Sequence, residues 1–261
     1  MRTFNLLAEP RRIAFAGDWH MNVRWAERAI RCAVDQDADV IVHVGDYGYD
    51  FHPGFVRKVE EALTRAGIPL LFVDGNHEDF TLLLQQPVGG DGLRRISGHV
   101  AHLPRGFRWE WAGVHFLAMG GAHSVDRPYR VPGVSWWPEE TITARQVYEA
   151  AEPGTTDVLI SHDCPHGVVI PGIDDRTSPP PFSPAEIERS NEHRKLLRVL
   201  VEQVQPSVIW HGHYHVGYQA VADLGYGPVV VNGLDCDETT LDANVRVVDV
   251  ADLLVRPGGG L

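Results

Sequence analysis

The chain has 261 residues, 44% of them apolar and 22% charged, which suits an ordinary soluble core and argues against disorder. Thirty-five acidic residues outnumber 23 basic ones, for a net charge of −12. That balance disfavours non-specific binding to DNA or RNA but not a phosphate bound through metal ions, which reverse the local field.

The length predicts one domain over residues 1–261, with a core spanning about 13–250. Cys32, Cys164 and Cys236 cannot all pair and show no C-x-x-C spacing, so a reducing compartment, the cytoplasm, is expected. No apolar run approaches the roughly 18 residues of a membrane span. Residues 1–12 are broken by Glu9, Pro10, Arg11 and Arg12 and lack a signal-peptide core.

In chain order, residues 13–16 form a short apolar run closed by Gly17-Asp18, a buried strand. Residues 25–34 carry apolar side chains at helical spacing. Residues 40–44 predict a second strand, again closed by Gly-Asp (Gly45-Asp46). A helix over 55–66 stops at Gly67, and a third strand over 69–73 ends in Asp74-Gly75-Asn76-His77. This strand–helix–strand rhythm points to a parallel sheet covered by helices. Residues 99–120 read as short antiparallel strands and 143–151 as a helix. A strand over 157–160 precedes Ser161-His162-Asp163. Residues 171–184 predict an ordered loop or lid. A long helix over 185–204 opens at Ser183-Pro184, with Glu186 placed for a capping box. A strand over 207–210 runs into His211-Gly212-His213-Tyr214-His215, and 229–231 and 245–250 supply two late strands. The glycine tail, 258–260, is expected to fray.

Five predicted strands thus end in metal-capable side chains: Asp18 and His20, Asp46, Asn76 and His77, His162, and His213 with His215. Open α/β sheets bind ligands beyond the carboxyl ends of their strands, so these groups can converge. Singly each signal is weak, because Gly-Asp and Asn-His are common turn sequences. The ordered recurrence, about once per strand–helix unit, is what carries weight. Mixed imidazole and carboxylate donors suit Mn, Fe, Zn, Co or Ni better than Mg or Ca.

The ordered set Asp18-x-His20, Gly45-Asp46, Gly75-Asn76-His77-Glu78, His162 and Gly212-His213-x-His215 resembles the calcineurin-like metallophosphoesterase family over nearly the whole chain. The resemblance implies an α/β fold, a four-layer α/β/β/α sandwich with mixed sheets. It also implies two divalent or trivalent metal ions. Asp18, His20 and His215 would hold the first and Asn76, His162 and His213 the second. Asp46 would bridge them, and His77 would lie beside the substrate phosphate. Where many members carry Gly-Asp-x-x-Asp, this chain has Gly45-Asp46-Tyr47-Gly48-Tyr49-Asp50, leaving Asp50 and Glu78 as alternative partners for His77.

Two cations sharing a water ionise it near neutral pH and clamp phosphoryl oxygens. The expected reaction is hydrolysis of a small phosphodiester or nucleotide by metal-activated hydroxide. His77 would protonate the leaving oxygen or stabilise its charge. Asn76, His77, His123, Arg127 and Arg130 are candidate substrate contacts, and Trp136 or Trp137 could stack on a base. Asp174, Asp175 and Arg176 could face substrate from the loop. The alternatives are a serine/threonine protein phosphatase-like monoesterase or a scaffold that kept the fold and lost catalysis. The composition does not predict an oligomeric state.

Overall fold

A computed structural model describes residues 5–178 and 180–254. The 258–260 tail lies outside the described residues. The first half of the chain runs β1 (Arg12–Ala16), α1 (Val23–Asp35), β2 (Val40–His43), α2 (Pro53–Ala66), β3 (Leu70–Phe72), α3 (Phe80–Gln85), β4 (Arg94–Arg95) and β5 (Val100–His102). The second half runs β6 (Arg108–Trp111), β7 (Val114–Met119), α4 (Ala144–Ala151), β8 (Val158–Ser161), α5 (Pro184–Val204), β9 (Val208–His211), β10 (Tyr218–Asp223), β11 (Pro228–Gly233), α6 (Leu241–Asn244) and β12 (Val245–Asp249).

The strands form two six-stranded sheets, ordered β12-β1-β2-β3-β5-β4 and β10-β11-β9-β8-β7-β6. Each has four parallel strands flanked by an antiparallel strand at either edge. Side chains alternate across a strand, and both faces of these strands are apolar. Ile13 and Phe15 therefore face the second sheet, where Phe15 stacks on Trp210 at 4.1 Å, while Ala14 and Ala16 pack under α1. Leu117, Leu159 and Ile209 turn outward to α4 and α5. Three apolar layers between four structural layers give the α/β/β/α sandwich.

The helix ends follow local rules. Asn22 caps α1, and α2 stops where Gly67 adopts φ 72°. Thr143 and Gln146 make a reciprocal capping box on α4. The box expected on α5 is only half formed: Ser183 accepts from the Glu186 amide, but the Glu186 carboxylate goes to His123 and Arg127. Within 99–120 only β6 pairs antiparallel with β7, whereas β5 and β7 run parallel to β3 and β8. The polar alternation there marks edge exposure, not a meander. The short elements α3, β4 and α6, and the edge strand β10, carry no apolar period long enough to announce them.

Candidate metal centre

The parallel strands β1, β2, β8 and β9 deliver Asp18, Asp46, His162 and His213 to the same end of the sandwich. The turn after β1 is sewn to the turn after β2, because the amides of Trp19 and His20 both donate to the Asp46 carbonyl, at 3.1 and 2.9 Å. His20, Asp46, His213 and His215 hold φ of 46°, 54°, 68° and 53°. L-residues avoid this left-handed region, and its concentration here fits a site over-determined by its surroundings.

Asp46 is buried, and its oxygens have different neighbours. Oδ1 accepts the Asn76 and His77 amides at 2.9 and 3.0 Å. Oδ2 faces three imidazole Nε2 atoms: His162 at 3.3 Å, His20 at 3.6 Å and His77 at 3.9 Å. Asp18, also buried, accepts the His213 amide at 3.0 Å and lies 3.2 Å from His215 Nε2. Three donor groups, Asp18–His20–His215, His20–Asp46–His77 and Asp18–Asp46–His162, each fit within 4.8 Å. The first is the set expected for one metal. In the set expected for the other metal, Asn76 Oδ1 lies 3.1 Å from His162 Nε2 and the His213 ring 5.1 Å from that of His162.

Neighbouring groups aim these donors. His162 Nδ1 donates to the Val44 carbonyl at 2.8 Å, leaving Nε2 to face the site. Asn76 Nδ2 donates to Ser124 Oγ at 3.0 Å, and Ser124 donates to Glu140 at 2.6 Å, so the amide oxygen points inward. His20 Nδ1 meets Asp237 at 2.8 Å, and Asp237 also receives Asn22 at 2.7 Å. Sequence reasoning missed Asp237. The signal was a carboxylate just past β11, the strand-end rule that found the others.

Burial opposes charging the imidazoles, but the carboxylates outweigh it for three of them. His20 is raised to about 9 and His162 to about 10 beside Asp46, and His215 to about 11 beside Asp18. Without metal, protons thus supply the positive charge that Asp18 and Asp46 demand. A cluster of buried carboxylates with imidazole nitrogens turned toward them has the chemistry of a cation site, so the donor set fits the expected metals.

Neither candidate carboxylate orients His77. Glu78 is buried and clasps the Tyr47 and Gly75 amides at 2.7 Å each, and burial first, then Asp46, pushes its carboxyl up to about 8. Asp50 accepts the His52 amide. His77 Nε2 instead accepts from Arg130 at 2.9 Å, and Arg130 is held by Asp126 at 2.7 Å. Burial, then Arg130, holds His77 down to about 4, so its ring is neutral.

Of the other candidate contacts, the structure brings Arg130 and Trp137 to a pocket beside His77, while Trp136 lies under the Arg127 guanidinium. His123 and Arg127 both bind Glu186, at 2.7 and 2.8 Å, which turns them toward α5 and corrects the expectation that they face substrate. Asp174 holds Arg194 and the Ile170 amide, while Asp175 and Arg176 bond Gly172 within their own turn. His43 is a core residue packed edge-on to Trp19, and Asn232 pairs with Gln219 across two strands.

A sequence profile described as calcineurin-like phosphoesterase matches residues 11–217. The chain belongs to that family. The chain is 23% identical over 201 residues to the lariat debranching enzyme of Schizosaccharomyces pombe, a match covering 71% of this chain and 42% of that protein. It therefore spans about two fifths of that relative's length. A dimetal phosphatase from Danio rerio superimposes with a TM-score of 0.58 at 13% identity, covering 92% of this chain and 93% of that one, which shows a shared fold. Among its described residues no helix is long and apolar enough to cross a membrane.

Proposed function

We propose that this chain hydrolyses a small phosphodiester or nucleotide at a pair of cations. The carrying observation is Asp46: one oxygen is tied to two backbone amides while the other is turned toward three imidazoles. A bridging ligand must be an anion held rigidly with lone pairs to spare, and this environment supports that role. On this reading Asp18, His20 and His215 hold one cation, and Asn76, His162 and His213 the other. Manganese is the first metal to try, and the cytoplasm is the proposed location, supported by three unpaired cysteines.

Bound cations would supply an acidic water and neutralise phosphoryl oxygens. The protein's own groups do the positioning. Asn76 adds a neutral amide oxygen, so the site does not become too negative for an anionic substrate. Arg130 reaches from Asp126 to His77 and to the Asn76 carbonyl at 3.3 Å, which supports a role for its positive charge beside a bound phosphate. With Nε2 accepting from Arg130, a neutral His77 carries no stored proton there; on this reading it aims the Arg130 guanidinium, which would stabilise charge on the leaving oxygen.

The test pairs elemental analysis with a substrate panel of p-nitrophenyl phosphate, its bis-ester and 2′,3′- and 3′,5′-cyclic nucleotides with added Mn²⁺. His77→Ala should keep its metal and lose about 10²–10⁴ in turnover. A variant that loses metal first, or stays fully active, removes His77 from the reaction. Two bound metals with no activity on any ester would favour the scaffold reading.

A further inference from the structure

Beside His77 the protein forms a pocket of about 310 Å³, with His77 in its wall. Arg130, Tyr49, Asp50, Asp126, Val134 and Trp137 are among the other residues lining it. Larger cavities of about 390 and 530 Å³ lie elsewhere; neither is lined by His77 or a proposed ligand, and in the first the charges of Asp74 and Arg105 are paired with each other. The His77 pocket is the one continuous with the proposed chemistry.

Its walls have a definite character. Tyr49 stands 5.1 Å from the His77 ring and is 37% exposed, so one face is open. Trp137 has its indole nitrogen committed to Thr81 at 2.9 Å, which makes it an apolar wall. The 131–136 turn is closed by the Val134, Ser135 and Trp136 amides, all donating to the Val131 carbonyl. That turn holds Val134 out at 71% exposure over the mouth. Arg130 is the single cation in the lining, against the carboxylates of Asp50 and Asp126. A second phosphate would meet net negative charge here, whereas a flat, uncharged ring would meet Tyr49, Trp137 and Val134.

We propose that this pocket receives the alcohol half of the ester, and that the alcohol it fits is uncharged and ring-bearing, as a nucleoside is. The assignment rests on the phosphoesterase reading. Water adds across the P–O bond: its hydroxyl goes to phosphorus, its proton ends on the departing oxygen, and the neutral alcohol is left in the pocket.

Adenosine is the probe, titrated by calorimetry into the full chain loaded with Mn²⁺, with inorganic phosphate titrated in parallel. Val134→Trp fills the mouth from an exposed turn, and Tyr49→Ala removes the stacking face. Adenosine should bind the parent protein and weaken about tenfold in V134W and several-fold in Y49A, while phosphate stays within about twofold in V134W. Failure of adenosine to bind the parent protein, or equal weakening of phosphate in V134W, overturns the assignment. Adenosine binding that V134W weakens, with every ester left intact, would keep the pocket and discard the hydrolase. Ester hydrolysis without adenosine binding would do the reverse.

Discussion

Asp46 can present one oxygen inward only because Gly75 has no side chain. A Cβ there would stand 2.1 Å from Asp46 Oδ1 and 2.5 Å from its backbone nitrogen, and neither can retreat. Gly75→Ala should therefore lower Mn²⁺ affinity by about tenfold or more in calorimetry. Gly67→Ala is the control: its Cβ meets open space, so it should cost about 1 kcal/mol of stability from the left-handed backbone and leave metal binding alone. The Asn76–Ser124–Glu140 chain makes a second prediction. Without Ser124 Oγ the Asn76 amide has no fixed sense, so Ser124→Ala should weaken the second metal by about threefold to tenfold. Unchanged affinity for both metals would mean that Ser124 does not orient Asn76.

Residues three apart on one loop met opposite fates. Arg130 faces His77, and Arg127 faces Glu186 on α5. Nothing local distinguishes them; Glu186 lies 59 residues downstream of Arg127. This cluster ties α5 to the loop after β7, and it titrates. The Arg127 bond, then burial acting against it and the His123 bond, leave the Glu186 carboxyl lowered from 4.5 to about 2. A folded pKa below the unfolded value means the carboxylate's contribution is complete above about pH 4.5 and is lost as pH falls toward 2. Glu186→Gln should accordingly flatten the pH dependence of the urea midpoint between pH 5 and 2 and lower the midpoint at pH 7. An unchanged acid limb would show that this cluster does not couple the two elements. The strand–helix units around the site were legible because buried parallel strands are apolar throughout. The α5 cap was misread because its glutamate had a distant partner.

Across the whole molecule, the proposed ligands come from both sheets. Asp18, Asp46 and Asn76 follow strands of the first, and His162 and His213 follow strands of the second. Cations held between them would join the layers at one edge while the central apolar cluster joins them along the strands. Mn²⁺ at a hundred times its Kd should add about 2.7 kcal/mol, or roughly 5–10 °C in Tm for a chain of this size, with a chelator reversing it. His162→Ala should remove most of that rise. A Tm indifferent to both metal and chelator would mean that nothing bridges the sheets there.

The sequence by itself determined the class of the fold and where along the chain the proposed donors fall. Both rest on short-range facts: a buried strand is a run of apolar residues, and a ligand at its end is the next polar side chain. Tertiary structure alone decided how those donors are aimed. Asp237 behind His20, Glu78 clasping two amides and Arg130 in place of a carboxylate on His77 all depend on contacts between segments far apart in the chain. Such pairings are set by how the layers pack, and packing leaves no local period to read.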